Sequence, residues 1–327
     1  MAEPHAPAVS MIATRHAYRG YLYIAAATFS WGVSATLGRA AFTGRLLPQS
    51  DIAKISPLIL SQSRTTFSFL ALLLILLLRP GVEAIRLPFR DVAKIFVLGL
   101  AGVAASNYLY YLAIQRTNVA IAIIVQYTAP VWVLLYMVAR GKERPTTSKM
   151  ASVMLASVGV AFVIGLFGQR QLHLDTIGVV AAVLASFSFT FYNIGGHAIL
   201  ARLDRWIVLL YTTMAASLFW IVVNPPSRIA AAHYSGAAWL FLAIFAVLSV
   251  LVPFSLYFAG LQHLQPTNAI IASCLEPVFA IVIAAISLHE VMKPVQAAGV
   301  LMVLAAIVVV QRPVRGEPPV PSAGPVA

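Results

Sequence analysis

The chain has 327 residues, of which 61% are hydrophobic and only 10% are charged. Soluble domains are about half apolar and about a quarter charged, so this composition excludes an ordinary soluble protein and indicates one that lies in a bilayer. The net charge of +12 would suggest nucleic acid in a soluble domain, but membrane proteins place excess Lys and Arg in their cytoplasmic loops, so we expect no nucleic-acid partner.

The chain begins with a Pro- and Ala-containing stretch, residues 1–18, for which we expect a disordered tail. Ten apolar windows of about 20 residues follow, which predict an all-α polytopic membrane protein, because barrel strands are about half as long and alternate in polarity. A second tail, residues 312–327, is again expected to be disordered. The predicted spans are 20–40, 56–78, 92–113, 119–139, 148–167, 176–200, 206–223, 237–261, 267–288 and 294–311.

The distribution of Lys and Arg between the loops predicts the orientation. If the N-terminus is cytoplasmic, the loops on that side hold roughly twice as many Lys and Arg as the opposite loops. We therefore expect both termini in the cytoplasm.

The second half of the chain resembles the first. Ser106–Phe162 aligns with Pro253–Val309 without a gap, and several identities in that alignment are not merely apolar. The chain is predicted to be a five-span unit used twice, over residues 19–167 and 168–311. Because five is odd, the second copy must be inserted in the opposite sense, as in transporters whose central site faces each side in turn. The informative identities are Tyr110/Tyr257, Gln115/Gln262, Pro130/Pro277 and Glu143/Glu290.

Two segments of the chain resemble a known family. They are YLAIQRTNVAIAIIVQYTAPV in the first half and FAGLQHLQPTNAIIASCLEPVFAIVIAAISLHE in the second. They resemble the EamA repeats of the drug/metabolite transporter superfamily, over about residues 20–311. The resemblance implies ten helices, a bacterial inner-membrane location, and export or exchange of amino acids, related metabolites or drugs. The acids that close each hairpin, Glu143 and Glu290, match the family pattern, as does Arg64. The first copy departs from it with Ala129 where the second has Glu276.

Two ionisable residues stand well inside predicted spans, Arg64 and Glu276. Burying either charge alone costs about 3 kcal/mol or more, so each should face a partner or a wet cavity near the middle of the bundle. Counting about 1.5 Å per residue places the two at similar depths. We therefore consider a pair between them, either as a static link between the copies or as one that breaks when an anionic or zwitterionic cargo binds.

Pro130 and Pro277 lie in the fourth span of each copy. Each removes a backbone N–H, so the carbonyls of Gln126 and Ser273 lose their usual partners. Interrupted helices of this kind tend to line transporter sites, so we predict that both prolines break the helix or act as hinges beside the cargo. A simple packing kink is the alternative.

Other polar residues inside the spans are candidates for lining a cavity that selects cargo through a few hydrogen bonds. Each of them could instead join two helices, because amides and hydroxyls also bind membrane helices together. The predicted substrate-binding set is Glu276, Arg64, Gln126, Tyr127, Asn107, Tyr110, Tyr257, Asn193 and Trp31. Glu143 and Glu290 are instead predicted to be solvated charges at helix ends, with a role in gating as the alternative.

The function that these features favour is secondary transport, since the chain has no G-x-x-x-x-G-K-[ST] motif for ATP. A passive channel or scaffold is one alternative. An intramembrane enzyme acting on lipid is another, although the spans lack a cluster of catalytic groups, so we predict no catalytic residues. We expect no metal and no cofactor, since Cys274 is the single cysteine. The expected partners are a small-molecule substrate and membrane lipid. A homodimer is left open, since the small-residue spacings Ser152/Ala156 and Ser157/Ala161 suit close helix packing but do not by themselves indicate a dimer.

Overall fold

The structure is a computed structural model that describes residues 6–42, 55–78, 87–117, 119–166, 175–231, 233–287 and 291–311. Within these ranges all regular structure is helical, which confirms the all-α prediction. Two helices contain π-helical segments, Leu98–Ala104 and Val247–Leu251, which we call the first and second π segments.

Helices occupy each of the ten predicted windows. In the first half they are α1 (Ala6–Phe42), α2 (Pro57–Leu77), α3 (Phe89–Val97), α4 (Ala105–Arg116), α5 (Val119–Gln126), α6 (Ala129–Ala139) and α7 (Thr147–Val163). In the second half they are α8 (Thr176–Leu200), α9 (Arg205–Val223), the short α10 (Pro226–Ala230), α11 (Gly236–Ala246), α12 (Val252–Leu261), α13 (Pro266–Ser273), α14 (Leu275–Ser287) and α15 (Pro294–Val310).

Seven helical stretches in the described residues are long and apolar enough to cross a membrane. The helices α7 and α15 are also apolar, but each has only 17 residues. Large apolar side chains on the outside of the bundle are exposed, among them Val222 at 80% and Leu301 at 67%. Such a surface would promote aggregation in water, whereas in a bilayer it contacts acyl chains. The chain is an integral membrane protein.

The first helix begins earlier than the sequence predicts. Helix α1 starts at Ala6, inside the stretch for which we expected a disordered tail, because Ala, Met, Ile and Arg after Pro7 are good or moderate helix formers. The second predicted tail, residues 312–327, lies outside the described residues.

Several helices begin where a polar side chain caps their first turn. The hydroxyl of Ser56 accepts a hydrogen bond from the backbone N–H of Ile59, directly before Pro57. The carboxylates of Asp175 and Asp204 do the same for α8 and α9. Each cap satisfies a backbone donor that the helix itself leaves unpaired, which is worth about 1 kcal/mol. These caps fix where the chain re-enters the bundle.

The tightest packing joins α7 to α15. A Cβ atom built on Gly299 would lie 2.5 Å from the backbone nitrogen of Val163 and 2.6 Å from the carbonyl oxygen of Gly159. Because no side chain stands between them, the two backbones approach closely, as small residues allow in membrane helices. This contact links the last helix of each half.

The first helix of each half packs against the other half. Helix α1 packs mainly against α12 and α14, and α8 packs mainly against α4, α5 and the first π segment. The largest buried cluster accordingly mixes side chains from both halves, including Ile24, Leu98, Tyr192, Leu209 and Phe258. The two halves are therefore interlocked, with the interrupted helices α5–α6 and α13–α14 between them.

Candidate functional site

The centre of the site is a hydrogen bond between Tyr127 and Glu276. The Tyr127 hydroxyl donates to Glu276 Oε2 at 2.9 Å. Tyr127 lies in the turn between α5 and α6, and Glu276 lies in the first turn of α14. The bond therefore joins the two helix interruptions, one from each half of the chain.

The interruptions lie directly before the two prolines. Helix α5 ends at Gln126 and α6 begins at Ala129, while α13 ends at Ser273 and α14 begins at Leu275. Neither proline can donate a hydrogen bond to the carbonyl four residues earlier, so the regular ladder stops there. The sequence thereby places a short turn at corresponding points of the two halves.

Hydroxyl groups satisfy carbonyls beside both turns. Thr128 Oγ1 donates to the carbonyl of Val125 at 2.7 Å, and Ser273 Oγ donates to the carbonyl of Ile270 at 2.7 Å. Thr128 Oγ1 also lies 3.1 Å from Ser186 Oγ on α8. These bonds hold the Thr128 and Ser273 side chains against the backbone of their own segments, and they lie close to the carbonyls of Gln126 and Ser273, whose usual donors the prolines remove.

Burial opposes a negative charge on Glu276, and two electrostatic effects offset part of that cost. Its carboxylate lies in the first turn of α14, where the helix dipole favours a negative charge. The guanidinium of Arg64 is also near enough to attract it. The side chain of Glu276 is half-buried among its neighbours.

Arg64 is held by an amide rather than by the carboxylate. Its Nη2 donates to Asn107 Oδ1 at 2.6 Å, and Asn107 Nδ2 donates to the carbonyl of Val103 in the first π segment at 2.8 Å. The expected ion pair between Arg64 and Glu276 does not form in this structure, because each side chain is bonded to another partner. The buried Nε of Arg64 has no hydrogen-bond partner among the described residues.

Tyr110 and Gln126 border the same cluster. The Tyr110 phenol lies within electrostatic reach of both Arg64 and Glu276. Gln126 Nε2 makes a long contact of 3.5 Å to Ser106 Oγ, next to Asn107 in the chain. The structure therefore brings six of the predicted residues together: Arg64, Asn107, Tyr110, Gln126, Tyr127 and Glu276.

The other three predicted residues form a separate interhelical contact. The Tyr257 hydroxyl donates to Asn193 Oδ1, and both residues are fully buried. The Trp31 indole N–H donates to the carbonyl of Ser249 in the second π segment at 3.1 Å, and its ring centroid is 5.5 Å from that of Tyr257. Tyr257 and Asn193 therefore bind helices together here, the alternative that the sequence left open for them.

A buried ion pair escaped the sequence analysis. Lys149 Nζ lies 2.9 Å from Glu143 Oε2, and both side chains are almost completely buried. Lys149 Nζ also donates to Gln265 Oε1 at 2.9 Å, across to the turn between α12 and α13. The prediction of a solvated Glu143 was wrong, because the loop that carries it folds inward against the second half. Glu290 lies outside the described residues.

The only feature of the sequence that could have indicated this pair is that Lys149 lies six positions after Glu143. It was too weak to interpret, because loop residues at that spacing have no fixed relation to each other.

Within the described residues no group of three or more His, Cys, Asp or Glu side chains could hold a metal ion. Cys274 is buried with a free thiol.

Comparison with known proteins places this geometry in a family. The model of the EamA-like transporter family matches the chain twice, over residues 18–165 and 176–312. A crystal structure of another protein is similar in fold, with a TM-score of 0.70 and 17% sequence identity. The match covers 89% of this chain and 96% of that one. That likeness shows a shared fold.

Two named relatives are similar in sequence. The threonine/homoserine exporter RhtA of Escherichia coli K12 is 31% identical over 202 residues, which are 62% of this chain and 64% of that protein. The match thus spans less than two thirds of that exporter's length. An uncharacterized inner membrane transporter of Salmonella typhimurium, YicL, is 19% identical over 89% of this chain and 95% of its own. Because the family model covers most of the chain, this protein belongs to the EamA-like transporter family.

Proposed function

We propose that this protein is a secondary transporter that exports or exchanges small metabolites, amino acids and related compounds in particular, across a bacterial inner membrane. The hydrogen bond between Tyr127 and Glu276 carries this proposal. It couples the interrupted helices of the two halves at one polar point inside an apolar bundle. If the halves rock relative to each other, this bond forms and breaks with the change of access.

The packing supports two inverted repeats of five spans each. The contacts of α1 with the second half correspond to those of α8 with the first, and α7 packs against α15. The family model also matches the two halves separately. Such correspondence is expected when a pseudo-two-fold axis in the membrane plane relates the halves, with ten spans and both termini in the cytoplasm.

The site chemistry favours a zwitterionic cargo. Arg64 has a buried Nε without a hydrogen-bond partner, which a cargo carboxylate would reach once the site opens, and Glu276 offers carboxylate oxygens to an ammonium group. Tyr127 and Asn107 hold the two charged side chains apart, so a small molecule with both charges could bridge them. The names of the RhtA relatives, which export threonine and homoserine, agree with this class.

Driving energy has to come from a gradient of cargo or of an ion, because the sequence lacks the phosphate-binding loop of ATPases. A passive channel would need polar side chains along a continuous path. Buried hydroxyls and amides occur on several helices here, but the charged side chains of Arg64 and Glu276 lie near each other beside the two interruptions.

Counterflow in liposomes tests the proposal. Purified protein is reconstituted, the vesicles are loaded with one unlabelled amino acid at a time, and uptake of the labelled compound is followed against its gradient. A carrier gives transient accumulation that saturates with concentration, whereas a channel gives only equilibration. Absence of accumulation for every amino acid and related metabolite tested would contradict the proposal.

The Glu276→Gln variant tests whether transport depends on the Tyr127–Glu276 site. It removes one charge while keeping the shape, and the loss of a charge-assisted contact should lower transport by about tenfold or more. Asp204→Asn is the matched control, because Asp204 is exposed at the start of α9, away from the site, and asparagine caps a helix as well as aspartate does. Unchanged transport by Glu276→Gln would remove Glu276 from the mechanism.

A further inference from the structure

A cleft opens between α3 and α8, away from the Tyr127–Glu276 site. Helix α3 packs against α9, while the first π segment that follows it packs against α8. The beginning of α3 and the end of α8 therefore diverge and leave a cleft of about 420 Å³. Its walls include Ala93, Val97 and Leu98 on one side and Phe191, Gly195 and Ala198 on the other.

The inner part of the cleft is apolar and opens outward. Val97 is 52% exposed and Phe191 is 42% exposed. Gly195 carries no side chain, and an added Cβ atom there would come within 2.9 Å of Leu98 Cδ1, so the glycine keeps the floor of the cleft clear. An apolar cleft on the outside of a membrane bundle is filled by a lipid tail, because water there would leave its apolar walls unsatisfied.

The mouth of the cleft is basic. A contiguous space of about 190 Å³ shares Lys94 and Ala198 with the cleft and is also lined by Arg202 and Asp91. Lys94 Nζ lies 3.5 Å from Asp91 Oδ1, but its side chain is 59% exposed, so most of its donors face outward. Arg90 lies one turn before Lys94 and is exposed. Two cations, Lys94 and Arg202, thus line this end of the cleft with one carboxylate, and a third cation, Arg90, lies one turn away.

We propose that this cleft binds one anionic glycerophospholipid, with an acyl chain between α3 and α8 and its phosphate at Lys94 and Arg202. The apolar walls exclude a free phosphate as the complete ligand, since they give it nothing to bind. The excess of positive charge favours an anionic headgroup over a zwitterionic one, as in basic pockets between membrane helices. The site is separate from the transport site, and the inference does not depend on the transported compound.

Lipid binding to the purified full-length protein tests the inference. Native mass spectrometry compares the affinities for phosphatidylglycerol and for phosphatidylcholine with the same acyl chains. We expect phosphatidylglycerol to bind about tenfold more tightly, and this preference to fall close to one in K94Q/R202Q. R228Q is the matched control, because Arg228 is an exposed arginine on the short α10, away from the cleft.

A variant that fills the cleft tests the contribution of its apolar part to binding separately from that of its basic mouth. A198W should weaken both lipids several-fold, because the indole occupies the space of the acyl chain. The exposed single variant R202Q, checked for a single gel-filtration peak, replaces the double variant if that one misfolds. The inference is overturned if the wild type binds both lipids equally, if A198W leaves binding unchanged, or if inorganic phosphate displaces phosphatidylglycerol completely at equal concentration.

Discussion

Tyr127 and Glu276 meet at the boundary between the two halves, where the phenol donates a hydrogen bond of 2.9 Å to the carboxylate. Each residue belongs to a helix that a proline interrupts. A carboxylate in an apolar interior needs such donors, because an unpaired buried charge is strongly unfavourable. The same bond also connects the two elements that alternating access has to separate.

Removing the Tyr127 hydroxyl should impair transport without unfolding the protein. In Tyr127→Phe the aromatic ring and its packing remain, while Glu276 loses its donor. A hydrogen bond to a charged group is worth about 1.5–3 kcal/mol, so we expect transport to fall about tenfold in the liposome assay. The control is Tyr18→Phe, since Tyr18 is 62% exposed at the bundle end. Equal rates for the two variants would show that this bond has no functional part.

Arg64 should contribute to recognition of the cargo carboxylate. Arg64→Lys keeps the charge but loses the planar donors, including the unpartnered Nε, so we expect the KM for amino acids to rise with a smaller change in maximal rate. For the corresponding amino-acid amides, which lack the carboxylate, the KM of the variant should differ much less from that of the wild type. If both kinds of compound lose affinity equally, Arg64 acts only through the packing of Asn107.

The pair of Glu143 and Lys149 should stabilise the fold. Glu143→Gln leaves the buried Lys149 charge uncompensated, which costs about 3–5 kcal/mol and should lower the midpoint of thermal denaturation in detergent. The double variant Glu143→Leu with Lys149→Met should recover much of that loss, because it removes both buried charges. Asp91→Asn breaks a contact of 3.5 Å to a lysine whose side chain is 59% exposed, so it should change stability by less than about 1 kcal/mol.

If Asp91→Asn lowered the midpoint of thermal denaturation as much as Glu143→Gln, burial of the ion pair would not be what determines the loss of stability. Failure of the double variant to recover any stability would point to the contact of Lys149 with Gln265 as the more important one.

The close approach of α7 and α15 should tolerate no side chain at Gly299. Gly299→Ala places a Cβ atom 2.5 Å from the backbone nitrogen of Val163, so the helices must move apart, at a cost of about 1–3 kcal/mol. Gly236→Ala is the matched control, because no atom lies within 4 Å of the added Cβ at the start of α11. Thermal denaturation in detergent measures both, and equal midpoints would contradict the packing argument.

The sequence by itself determined the all-α class, the membrane location and the points at which α5 and α13 stop. Continuous apolar windows leave few alternatives to helices in lipid, since each backbone polar group must be satisfied within its own segment. Pro130 and Pro277 act on the carbonyl four residues before them, so their effect is local and can be predicted without knowing the fold.

The tertiary structure decided which polar groups meet. Arg64 and Glu276 were predicted at similar depth, but depth does not give the rotation of a helix about its axis, and Asn107 and Tyr127 lie closer to them. Burial of Glu143 likewise depends on a loop whose path is fixed by contacts far along the chain. Hydropathy places a residue along the membrane normal, whereas its partners within that plane are set by the packing of the whole bundle.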